Sequence, residues 1–152
     1  MAPILADIVW PALFLGSRLS AWWVIGLGLI VELFFVRWLT TLNWSKSFVA
    51  DVSMNAASAL LGGVLIALVG LGWEFFPGTF IHEIFQVGTF NPGTWAATFL
   101  FAVFINAGLE TLVLRFVFKQ KAGKRIFWWL CVANSLSVAV AFVSIFLNPP
   151  QP

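Results

Sequence analysis

The chain has 152 residues, 61% of them apolar and 9% charged, with a formal net charge of +2. Eight basic and six acidic side chains cannot coat a soluble globule of this size, which would carry roughly 25% charged residues. The balance excludes a soluble domain, a disordered chain and a nucleic-acid-binding module, and points to an all-α integral membrane protein.

In chain order, residues 1–18 are apolar but contain Pro11 and are too short to span, so they read as an interfacial segment. They lack a basic leader, carry Asp7 early and show no small-residue cleavage site, so a secretory signal peptide is not expected. Four stretches then reach the roughly 20 residues that a helix needs to cross a bilayer: 19–38, 48–72, 94–118 and 126–147. Residues 73–93 hold Pro77, Gly78, Gly88, Pro92 and Gly93 and read as a second interfacial segment or re-entrant turn, and 148–152 as a tail. The expected fold is four transmembrane helices in two tandem hairpins, 19–72 and 94–147, packed as a four-helix bundle.

The basic residues set the orientation. Arg37 and Lys46 flank the first hairpin turn, and Arg115, Lys119, Lys121, Lys124 and Arg125 flank the second, while Arg18 stands alone at the other end. Under the positive-inside rule the turns face the cytoplasm and meet anionic lipid headgroups, and both termini lie outside, as in a bacterial inner membrane. The nine tryptophans agree. Trp10, Trp22, Trp23, Trp73 and Trp95 fall at the outer boundary, and Trp38, Trp44, Trp128 and Trp129 at the inner one, where an indole ring is half buried and its N–H stays wet.

The two hairpins resemble each other. VELFFVRW aligns with LETLVLRF, matching Glu32 with Glu110 and Arg37 with Arg115 at an offset of 78. Lys46 and Lys124 keep that offset, and Asn55 with Asn134 and Ser58 with Ser137 follow at 79. Both copies keep one orientation, which makes a parallel rather than an inverted repeat.

Each Glu lies five residues from its Arg, about 7.5 Å deeper in the membrane, at the depth of the Asn in the same hairpin. Glu32 is therefore expected to meet Asn55 and Ser58, and Glu110 to meet Asn134 and Ser137, with Asn106 one turn from Glu110 as a further amide. Two readings compete. Interhelical hydrogen bonds act as glue in membranes, helped by small-residue lines at Asn55, Ala59, Gly63, Ala67 and at Ala133, Ser137, Ala141. Intramembrane carboxyls also mark proton or cation pathways. No continuous polar lane is apparent, which favours glue.

His82-Glu83 lacks the second histidine of a zinc-protease helix, since Gln86 stands there. No metal, cofactor or catalytic set is expected, and Cys131 reads as a packing residue. The expected role is non-enzymatic: an accessory subunit or scaffold in a larger membrane assembly, with the lipid bilayer and membrane-protein subunits, or further copies of itself, as partners, and no nucleic acid. The alternative is a small oligomeric transporter or channel using the Glu/Asn pairs.

Overall fold

The computed structural model describes residues 22–86 and 91–147, which are 89% helical with no strand. Four helices follow one another: α1 (Trp22–Leu39), α2 (Trp44–Phe85), α3 (Pro92–Phe116) and α4 (Lys124–Leu147). The interfacial segment expected at 1–18, Arg18 and the tail 148–152 lie outside the described residues. Of the four helices, α1, α2 and α3 are long and apolar enough to cross a membrane.

Local chemistry sets the helix starts. Asn43 caps α2, its side-chain oxygen accepting from the Lys46 N–H at 2.9 Å. Asn91 caps α3, accepting from the Thr94 N–H at 3.0 Å, with Pro92 in the first helical position, where its missing N–H costs nothing. The two turns that carry the basic residues are tied together, since the Thr41 N–H and hydroxyl both donate to the Gln120 side-chain oxygen, at 3.5 and 3.3 Å.

The helices pack in a ring, α1 against α2 and α4, and α3 against α2 and α4. Its interior mixes small and polar residues with Met54, Leu114 and Leu130, and its outside carries many large apolar ones. On α1, Val24, Gly28, Glu32 and Val36 turn inward while Ile25, Leu27, Ile30 and Phe34 are exposed. That is the reverse of a water-soluble fold, and it suits hydrocarbon as the surrounding medium.

The helix ending expected at Gly72 is not there. α2 runs on to Phe85, through Pro77 and through two wide π-helical turns, Ser58–Gly62 and Glu74–Gly78. A π turn bonds residue i to i+5, so it accommodates a proline that cannot donate. The Thr79 hydroxyl also donates to the Glu74 carbonyl at 2.6 Å. Residues 73–85 are thus helix rather than a broken segment.

The first π turn moves the inward face. The buried line is Met54, Ser58, Gly62 and Ile66, spaced by four, whereas Ala59 and Gly63 of the expected small-residue line are exposed. Four residues overrun a 3.6-residue turn by about 40°, and the wider turn removes that drift.

Candidate functional site

Each glutamate meets its asparagine. Asn55 Nδ2 donates to Glu32 Oε2 at 2.6 Å and to the Asp51 carbonyl at 3.1 Å. Asn134 Nδ2 donates to Glu110 Oε2 at 2.7 Å and to the Leu130 carbonyl at 3.1 Å. The two arrangements are alike: one amide donates both to a glutamate on the preceding helix and to the carbonyl one turn back on its own. Both carboxyls are withdrawn from solvent, Glu32 at 2% and Glu110 at 1% exposure.

The serines behave differently from expectation. Ser137 Oγ donates to Glu32 Oε1 at 3.3 Å, across the ring from α4 to α1, rather than to Glu110. The contact depends on Gly28, where a Cβ would stand 3.3 Å from the Ser137 hydroxyl. Ser58 Oγ donates to the Asn55 carbonyl at 3.1 Å and so helps close the π turn, away from Glu32. Asn106 does not satisfy Glu110 either. Its side-chain oxygen is buried without a partner and faces Gly62, where an added Cβ would come within 2.7 Å of it.

A third buried carboxyl belongs to the site and was not among the expected residues. Asp51, at 0% exposure, sits one turn before Asn55 and accepts from Asn55 Nδ2 through Oδ1 at 3.3 Å. Its Oδ2 is buried with no donor. Glu32 and Asp51 meet at the Asn55 amide, which donates to both. The signal was present in the spacing, since an Asp four residues before a buried Asn shares its helix face. With Ser47, fully buried and donating to the Leu42 carbonyl at 3.4 Å, these residues form a line of polar groups along α2 from the basic end to mid-helix. The line stops at Ser58, well short of the far end of α2.

Three ionised carboxylates in this interior would be prohibitive, since each costs about 2.5–3.5 kcal/mol even on insertion scales. The group must hold protons or a compensating cation. Among the described residues no three acidic, histidine or cysteine side chains are placed to hold a metal ion.

The basic residues ring one end. Arg37 holds its guanidinium 5.7 Å from the Trp44 ring centre, and Arg115 lies 5.5 Å from that of Phe116. Lys46, Lys119, Lys121, Lys124 and Arg125 are exposed. Cys131 is buried in the core beside Leu130. Comparison with known proteins finds no matching family model, no similar curated protein and no similar solved structure.

Proposed function

We propose that this chain is a small non-enzymatic membrane protein whose buried carboxyl cluster takes up and releases protons, as a self-associating transporter or channel. In this reading all four helices span a bacterial-type inner membrane as a bundle of two related hairpins. The basic turns face the cytoplasm and its anionic lipid, and both termini lie outside. Asp51 carries the proposal. The Glu110–Asn134 bond forms with Leu130 at the position where Glu32–Asn55 has Asp51, so an interhelical tie of this kind needs no second acid. Asp51 adds a costly, incompletely satisfied group within a polar line leading from the basic turns, and proton exchange is what such a group can do.

A second reading, an accessory subunit of a larger membrane complex, is favoured by a different observation. The outer end of α2 exposes Phe75, Phe76, Phe80 and Phe85, a surface that a partner subunit would cover. The two readings separate on purification, where a self-oligomer supports the first and a stoichiometric foreign partner the second.

The decisive experiment replaces Glu110 by Gln and by Leu. Gln keeps the shape and can still accept from Asn134, but it cannot titrate. Proton flux into vesicles that carry the purified protein should vanish in both variants, while the Gln variant keeps the thermal stability of the parent. Undiminished flux in a folded Glu110→Gln protein would refute proton handling at this residue.

A further inference from the structure

We infer that the groove between α2 and α3 at the basic end is a binding site for one anionic phospholipid. The groove has a volume of about 490 Å³, within the range of roughly 300–1,000 Å³ typical of small-ligand sites. It is lined by the polar Ser45, Lys46 and Gln120 and the apolar Leu42, Val49, Val117 and Phe118. The lining thus offers both polar and apolar partners, as a lipid requires. The ammonium and hydroxyl of Lys46 and Ser45 can take a phosphate. Val49 and Val117, both exposed on the outer surface of the ring, continue the groove along the apolar face where an acyl chain runs.

Charge complementarity selects the lipid. Among the described residues no carboxylate pairs with Lys46. The acids of the described chain are Glu32, Asp51 and Glu110, enclosed by the helices, and Glu74 and Glu83, near the far end of α2. Lys119 and Lys121 flank Gln120 in the adjoining turn. Basic pockets between membrane helices are a general means of holding anionic headgroups.

The groove is also formed in advance. Gln120 bridges the two turns through Thr41 and donates from Nε2 to the Phe118 carbonyl at 3.2 Å, while its own N–H donates to the Leu114 carbonyl at 2.9 Å. Directly before it, Lys119 takes a left-handed φ of 52°, a conformation that disfavours any residue with a side chain. That turn brings Gln120 back over the end of α3, and the groove's polar wall is fixed before a lipid arrives.

The experiment uses the purified full-length chain in detergent, titrated with phosphatidylglycerol or phosphatidylcholine. Thermal stability and lipid retention in native mass spectrometry are the readouts. Phosphatidylglycerol should be retained preferentially and raise the melting temperature, and Lys46→Gln should weaken that preference by about fivefold, the value of one basic residue near an anionic surface. Lys124→Gln, outside the groove, should leave it unchanged. Val117→Trp, which fills the apolar wall from an exposed position, should lower retention of both lipids. Equal losses from Lys46→Gln and Lys124→Gln would mean a diffuse surface charge and overturn the site. So would the absence of any preference in the parent chain, or full stabilisation by glycerol phosphate without acyl chains.

Discussion

The two Glu–Asn bonds have nearly the same geometry and different surroundings. At the first, Asp51 adds a carboxyl on one side and Ser137 a hydroxyl on the other, so Glu32, Asp51, Asn55 and Ser137 form a branched network. At the second, Leu130, Ala133, Asn134 and Glu110 are all almost wholly buried, and Asn134 donates to the Leu130 carbonyl as well as to Glu110. The contrast shows that joining helices and accumulating acid are separate tasks. A single amide and a single carboxyl accomplish the first, and one further residue, four positions before the amide, introduces the second.

Making the second site resemble the first is the most disruptive way to test this. Leu130→Asp would bury a second carboxyl one turn before Asn134, in place of a fully buried leucine. We expect a loss of about 3 kcal/mol, read as a large fall in thermal stability and in yield of folded protein. A variant as stable as the parent would show that both sites accept a second acid equally, and the comparison would fail.

The reverse change should have a smaller effect of opposite sign on stability. Asp51→Leu removes the donorless Oδ2 and leaves Asn55 bonded to Glu32 and to the backbone. The expected gain is about 1–2 kcal/mol, toward the lower end of the cost of an unsatisfied buried polar group. The same variant should lose proton flux. Greater stability with unchanged flux would separate Asp51 from the transport reading. Ser137→Ala should have the smallest effect, about 0.6 kcal/mol, the average for an interhelical hydrogen bond in a membrane. Its sharper readout is spectroscopic: the carboxyl stretch of Glu32 should shift in the infrared while that of Glu110 stays in place. A shift at Glu110 instead would mean that Ser137 serves the second site after all.

Much of this arrangement was legible in the residues. The four helices could be placed because long apolar stretches alternate with polar turns, and Glu32 and Asn55 could be matched because each lies a countable distance from a basic residue at the same end. What escaped had physical causes. Ser137 was assigned to Glu110 because a hairpin was treated as a closed unit, yet in a ring each helix has two neighbours, and Gly28 opens α1 to the one farther along the chain. The small-residue line on α2 was placed one residue off because a π turn carries no distinctive composition. Pro77 and Gly78 argued for a break, but a wide turn with a threonine hydroxyl on the Glu74 carbonyl keeps the helix going. Asp51 was overlooked because its neighbour Asn55 already accounted for the polarity of that face.

The 42 residues of α2 measure about 63 Å along the axis, roughly twice the hydrocarbon thickness of a bilayer. With the basic turns at one membrane surface, as proposed, the whole excess would emerge on the other side. That excess carries phenylalanine, as Phe75, Phe76 and Phe80 show, and burying it in lipid requires tilt or a bend at the turn Glu74–Gly78. Hydrophobic mismatch costs a fraction of a kcal/mol per ångström, so an uncompensated excess of roughly 30 Å would outweigh any single interior hydrogen bond, at about 0.6 kcal/mol. In that placement bilayer thickness would act as a mechanical load on the helix that also holds Asn55 against Glu32.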